Sequence, residues 1–244
     1  MKQKIKLVLP AYNEQESLGS LLQKVIAVKN NFNLPLTVLV VNDGSKDNTL
    51  SIAKSFGPDV EALDLQPNRG LAGALREGLK FALADMSDQD ILITMDADDS
   101  HNPGLIFRMI TQIWEGSDIV IASRYRNGSR IVGLSAFREF LSSFARYLFA
   151  IFRPIRGVRD YTCGYRAYKT VILKKAYDHY KDRFIEQQGF GCMAEILLKL
   201  KTFKPIVHEL PFILRYDQKR GASKMNVWKT VKQTLGLIFS VKTK

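Results

Sequence analysis

The chain has 244 residues, 46% hydrophobic and 25% charged, which is ordinary for a globular protein and enough to bury a full core. Lys and Arg number 36 against 24 Asp and Glu, a formal charge of +12 that suits an acidic partner: nucleic acid, a phosphate-bearing substrate or an anionic membrane surface. Cys163 and Cys192 are the only cysteines, which excludes a disulfide framework and a four-cysteine zinc site. The longest apolar runs, residues 148–152 and 235–240, fall short of the ~18 residues needed to span a bilayer. The first ten residues hold too short an apolar stretch for a signal peptide, so a cytoplasmic chain is expected.

Residues 5–9 read as a strand closed by Pro10. Residues 14–29 carry Leu18, Leu21, Leu22, Val25 and Ile26 at helical spacing. Residues 36–41 form a continuous β-branched run, the mark of a buried parallel strand. Residues 47–56 read as a helix and 60–65 as a strand; residues 70–84 are a helix with Leu71, Leu75, Leu79 and Ala82 on one side. A strand at 91–95, a helix at 103–114 with Pro in its first turn, and a strand at 119–123 follow. This alternation predicts an α/β fold, a mostly parallel central sheet flanked by helices.

Past Arg124 the pattern changes. Nine Arg and no Lys lie between Arg124 and Arg166, a bias toward planar forks that suit phosphate. Residues 127–130 read as a polar loop and 135–152 as a strongly amphipathic helix striped by Phe137, Phe140, Leu141, Phe144 and Leu148. Residues 157–164 are irregular, 170–180 and 191–202 helical, 205–214 a strand, 217–224 a basic loop and 227–241 a basic amphipathic helix. No repeat or linker divides the chain, so one domain is expected over residues 1–225, with residues 226–244 as a C-terminal appendage.

In an open parallel sheet, ligands sit beyond the carboxyl ends of the strands. Polar groups follow all five early strands, and Asp96-Ala97-Asp98 is the sharpest of them. Two carboxylates at alternate positions after a buried strand can converge on a hard cation such as Mg²⁺ or Mn²⁺, with substrate phosphates completing its shell. The other reading is an acidic turn that caps the following helix. Asp43 in Asp43-Gly44-Ser45 can accept from the ring N–H of uracil, thymine or guanine, or else belong to a turn in which Ser45 or Asp47 caps the next helix. Asn68-Arg69-Gly70 offers a guanidinium and backbone N–H groups to phosphate, or a plain turn.

Taken in order, Pro10-Ala11-Tyr12-Asn13-Glu14, Asp43-Gly44-Ser45-Lys46-Asp47, Asn68-Arg69-Gly70 and Asp96-Ala97-Asp98 resemble the family 2 glycosyltransferases with the nucleotide-sugar-binding GT-A fold. Ser123-Arg124-Tyr125, the run from Asp160 to Arg166 and Gly221-Ala222-Ser223-Lys224 resemble the polyprenyl-phosphate sugar synthases of the dolichol-phosphate mannose synthase type. The resemblance implies inverting transfer of a hexose, mannose or glucose, from a GDP- or UDP-sugar to a dolichyl or undecaprenyl phosphate. The alternative within the family is a soluble glycan or polysaccharide acceptor. Pro10, Tyr12, Glu14, Asp43, Arg69 and Ala97 match donor-binding positions. Asp96 and Asp98 match the positions of the metal and the ribose-diphosphate. The subgroup can add a Gln ligand two residues later, where this chain has Ser100.

Arg124 and Lys224 match cations on the donor diphosphate. An Arg expected six residues before Lys224 is replaced by Gln218, and Arg215, Lys219 or Arg220 is expected to compensate. Arg138 and Ser142, one helical turn apart, match the positions that grip the acceptor phosphate. A phosphate monoester is already anionic near neutral pH, so no general base is nominated, and catalysis rests on positioning and electrostatics. The helix over 135–152 and the tail over 227–244 are expected either to pack in the core or to lie on an anionic membrane. The protein would then be peripheral at the cytoplasmic face of the membrane, with a membrane-anchoring protein as a further partner. Nucleic acid is not expected, since no DNA- or RNA-binding signature accompanies the charge.

Overall fold

The computed structural model describes residues 3–189, 191–218 and 236–237, without the side chains of residues 136–138. In chain order, β1 (Ile5–Ala11), α1 (Leu18–Asn31), β2 (Leu36–Asp43), α2 (Thr49–Ser55), β3 (Val60–Leu65), α3 (Gly70–Leu83), β4 (Ile91–Thr94), α4 (Leu105–Trp114) and β5 (Ile119–Ser123) make the alternating half. The second half comprises β6 (Arg130–Val132), α5 (Ala136–Phe152), β7 (Arg166–Lys169), α6 (Thr170–Tyr180), α7 (Gly191–Leu200), β8 (Val207–Pro211) and β9 (Ile213–Arg215).

Seven strands form one sheet in the order β3-β2-β1-β4-β7-β5-β8. β1 to β4 pair in parallel and β5 pairs in parallel with β8, while β7 runs antiparallel to both β4 and β5. The expected mostly parallel sheet is therefore present. Its central strands are continuous Val, Ile and Leu runs because helices cover both faces, and Leu7, Leu39 and Ile93 are fully buried. Truncating such a residue to Ala costs about 2–5 kcal/mol.

Pro10 is tolerated in an interior strand for a local reason. Val8 accepts from the backbone N–H of Met95, and β4 pairs with β1 only as far as Val8↔Thr94. Pro10, two residues on, turns its nitrogen to the same side, past the last rung, where no donor is needed.

Three expectations need adjustment. α1 starts at Leu18 rather than residue 14, because Ser17 and Leu18 donate to the Glu14 carbonyl in a turn that precedes the helix. β7 occupies the gap between β4 and β5, where the periodicity predicts no strand. The single strand expected over 205–214 divides: β8 stays in the main sheet, and β9 peels away to pair in parallel with β6, which takes residue 130 from the expected polar loop. Pro211 ends β8, and the Phe212 carbonyl accepts from Arg130 at the crossover. The basic loop at 217–224 and the helix at 227–241 lie outside the described residues, apart from Asp217, Gln218, Gly236 and Leu237.

Candidate active site

The loops after β1 and β2 are sewn together by short polar side chains. Asn13, in the left-handed region at φ 51°, donates its backbone N–H to Ser45 Oγ (2.9 Å) and accepts from the Lys46 N–H at Oδ1 (2.8 Å). Glu14 N–H donates to Thr49 Oγ1 at 2.8 Å, and Gln15 N–H donates to Asp47 at 3.1 Å. Half-buried Tyr12 and Glu14 are thus held at the carboxyl end of β1, beside the end of β2.

Asp43 is buried at the end of β2, and its Oδ1 accepts from the Arg69 backbone N–H at 2.7 Å. Burial raises its carboxyl above the ordinary range, against the backbone N–H groups of Arg69 and Gly70, which pull it down. Asn68 Nδ2 donates to the Asp43 carbonyl at 2.6 Å. Gly44, at φ 70°, lets this closure form: a Cβ there would lie 2.8 Å from the Asn68 nitrogen. Arg69 contributes to the closure through its backbone, since its guanidinium pairs with Glu77 at 3.1 Å.

The three aspartates after β4 divide into a pair and an outsider. Asp98 is buried, and its Oδ1 accepts from both the N–H (3.1 Å) and the Oγ (2.6 Å) of Ser100. Ser100 therefore orients a carboxylate. Asp96 is half-buried against Gly164, where a Cβ would sit 3.2 Å from Asp96 Oδ1 and crowd the carboxylate. Asp99, at φ 59°, turns away to Lys24 (2.6 Å) and Ser20 (3.1 Å) on α1. Among the described residues no group of three His, Cys, Asp or Glu gathers as a metal site. Two hard carboxylates at alternate positions after β4 fit a cation that takes its remaining oxygens from water or a ligand's phosphates. Cys163 and Cys192 flank this edge, and burial pushes both thiols up to about 12, so neither is a thiolate nucleophile at neutral pH.

Arg124, after β5, is engaged with Asp160. Nε donates to Oδ2 at 2.8 Å, Nη2 to Oδ1 at 2.6 Å, and Nη2 also to Thr162 Oγ1 at 2.6 Å. Burial alone would raise the Asp160 carboxyl, but the adjacent guanidinium outweighs it and holds the group below the ordinary range. Asp160 is itself placed by Glu209 of β8, whose Oε1 accepts from the backbone N–H groups of Arg159 (2.6 Å) and Asp160 (2.7 Å). The next residue, Tyr125, shares a 2.6 Å hydrogen bond with Ser142 on α5.

Pro10, Tyr12, Glu14, Asp43, Arg69, Asp96, Ala97 and Asp98 thus fall on one edge of the sheet, as expected from their strand-end positions. Arg215 reaches that edge through its backbone, which donates to the Ser100 carbonyl at 3.0 Å, while its side chain is spent on Asp217 at 2.8 Å. Lys219, Arg220 and Lys224 lie outside the described residues, as does the Arg138 side chain. The sequence pattern assigns no role to Asp160 and does not mark Glu209. Both contacts are long-range, so only the oddity of a buried acid in a β-rich run could have flagged them.

α5 turns Phe149 into the core and leaves Phe140, Phe144, Tyr147 and Ile151 exposed at 65%, 49%, 57% and 69%. Among the described residues no helix is long and apolar enough to cross a membrane.

The chain is 30% identical over 225 residues to a dolichol-phosphate mannosyltransferase of Pyrococcus furiosus, covering 91% of this chain and 59% of that protein. It therefore spans only about three fifths of that relative's length. It is 31% identical to an undecaprenyl-phosphate mannosyltransferase of Micrococcus luteus, covering 90% of this chain and 86% of the relative. Its fold is that of glucosyl-3-phosphoglycerate synthase from Mycobacterium tuberculosis, solved with Mn²⁺, UDP and phosphoglyceric acid, at a TM-score of 0.67 and 19% identity over 99% of this chain and 80% of that one. The fold is thus the GT-A type. The family model described as glycosyl transferase family 2 matches residues 6–176, and with the strand-end edge built as above, the chain belongs to that family.

Proposed function

We propose that the chain transfers a hexose, mannose or glucose, from a nucleotide diphosphate sugar to a polyprenyl phosphate, with inversion at the anomeric carbon. The observation that carries this reading is α5. It is tied to the sheet edge through Ser142 and Tyr125 at 2.6 Å and exposes an apolar row on its other side. A soluble sugar acceptor has no use for such a row, whereas a phosphate on a long apolar tail has use for both. The names of the relatives agree with it.

Asp43 would accept from the ring N–H of uracil or guanine, with Tyr12, Glu14, Pro10 and Ala97 framing the nucleoside. Asp96 and Asp98 would hold a divalent cation, Mg²⁺ or Mn²⁺, which when bound neutralises charge on the departing nucleotide diphosphate. Lys224 would add positive potential at the diphosphate, and Arg124, its charge offset by Asp160, would offer the N–H groups that this pair leaves over. Arg138 and Ser142 would aim the acceptor. Its oxygen is anionic, so the protein supplies position and field rather than a base. α5 and the basic tail would rest on an anionic membrane at its cytoplasmic face, with or without a membrane-anchoring protein.

The test is transfer of labelled sugar from GDP-mannose and UDP-glucose, in parallel, to a polyprenyl phosphate with Mg²⁺ or Mn²⁺. A lipid-linked product from one donor, lost in Asp98→Asn, is expected. Transfer to a non-phosphorylated glycan instead would assign the soluble-acceptor alternative.

A further inference from the structure

The face of α5 that carries Arg138 and Ser142 continues by one turn to Arg146. The Arg146 guanidinium carbon lies 4.8 Å from the Tyr125 ring centroid and 4.9 Å from that of Tyr147. Arg124, Arg126, Arg69 and Arg215 each meet a carboxylate within 3.1 Å. Arg146 has no such ion pair among the described residues. It is a cation held against aromatic faces, with no carboxylate partner among the described residues.

Stacking on rings uses the faces of a guanidinium and leaves its N–H edges for oxygen acceptors. Tyr125 is itself anchored, by the bond to Ser142 and by the neighbouring Arg124, whose guanidinium carbon is 5.5 Å from the same ring. The fork is therefore held in one place beside the residues that would aim the acceptor. One position further along the helix, Tyr147 opens the apolar row of Phe140, Phe144 and Ile151. An anion that reaches Arg146 lies beside Tyr147, the nearest member of the apolar row.

We infer that Arg146 binds the phosphate of the lipid acceptor, its fork set by Tyr125 and Tyr147 so that the headgroup docks beside Tyr147 and the polyprenyl tail passes round the helix from there to the apolar row. This rests on the polyprenyl-phosphate reading above and adds a residue that sets acceptor specificity. The occupant is a lipid-borne phosphate monoester, since a free phosphate would leave the apolar row uncovered.

The experiment is flotation of the full chain with phosphatidylcholine vesicles that carry either polyprenyl phosphate or polyprenol. It uses native protein, Arg146→Met and Arg146→Lys, with melting temperature and nucleotide binding recorded as checks on folding. Native protein is expected to prefer the phosphate-bearing vesicles. Arg146→Met should lose about tenfold of that preference, as loss of a charge-assisted contact implies, and Arg146→Lys should lose less because it keeps the charge without the fork. The Michaelis constant for lipid phosphate should rise in the same order. Full preference retained in a folded Arg146→Met protein would overturn the assignment to Arg146 and leave the acceptor reading standing. No preference in the native protein would overturn both. Displacement by an equal concentration of inorganic phosphate would assign the site to free phosphate and remove the lipid.

Discussion

The guanidinium of Arg124 meets the carboxylate of Asp160 in a two-point contact, Nε to Oδ2 at 2.8 Å and Nη2 to Oδ1 at 2.6 Å, and the backbone N–H of Arg124 adds a third bond at 3.0 Å. Asp160 is fully buried, so this pair is insulated from solvent screening. Removing one partner strands the other. Asp160→Asn is expected to lower stability by about 3–5 kcal/mol, read by chemical denaturation. Arg124→Met with Asp160→Leu should recover part of that loss while leaving transfer impaired.

The same pair sets an acid limb. Because the Asp160 carboxyl is held below its ordinary value of 3.8, the folded state binds this proton less readily than the unfolded chain. Its contribution is present above about pH 4 and lost as pH falls through the depressed value. The native melting temperature should drop steeply below pH 4, and Asp160→Asn should flatten that slope.

Ser100 orients Asp98 through two bonds to one oxygen. Ser100→Ala should raise the metal concentration for half-maximal transfer about tenfold, the usual effect of losing an orienting partner, with little change in melting temperature. An unchanged metal requirement would show that Asp98 needs no such support.

Gly44 stands where the loops after β2 and β3 close on Asp43. Gly44→Ala places a methyl 2.8 Å from the Asn68 nitrogen at a positive φ. A loss of more than about 1 kcal/mol is expected, together with weaker nucleotide binding as Asp43 shifts. Calorimetry with GDP and UDP reads the second effect.

Phe140 and Phe144 stack at 6.4 Å between centroids on the exposed side of α5. Replacing both with Ser should change stability within about 0.5 kcal/mol, because neither is core. Vesicle binding should fall sharply, and transfer to a short-chain water-soluble acceptor should fall much less.

The parallel half of the sheet was legible because each strand and helix carries its own periodicity. β7 was not, for an equally local reason. It is four residues long, Arg-Ala-Tyr-Lys, and Arg166 is fully buried with its charge answered by the carbonyls of Met193 (2.7 Å) and Tyr161 (2.8 Å). Hydropathy counts that arginine as surface, and only the tertiary structure supplies the carbonyls. The strand-end carboxylates were readable from position alone. The partners of Arg124 and Ser142 were not, because Asp160 and Tyr125 reach them across the fold. The stripe on α5 was visible too, but periodicity gives an apolar face without saying what covers it: Phe140 and Phe144 of the stripe face outward, and Phe149, outside it, enters the core.

β5 and β7 are next-door strands, with Ile121 opposite Arg166. Everything between them, residues 124–165, leaves the sheet and returns roughly 5 Å away, the spacing of paired strands. Such an excursion behaves as a cassette. Its two ends are clamped by neighbouring rungs, with Gly164 close against Asp96, so the outer part around α5 can vary in length and surface while Arg124 and Gly164 stay in place. α5 lies within it, as do the exposed aromatics and most of the arginines. A common nucleotide-sugar platform is in this way open to different acceptors by variation of the outer part of one excursion, and swapping α5 between family members tests that directly.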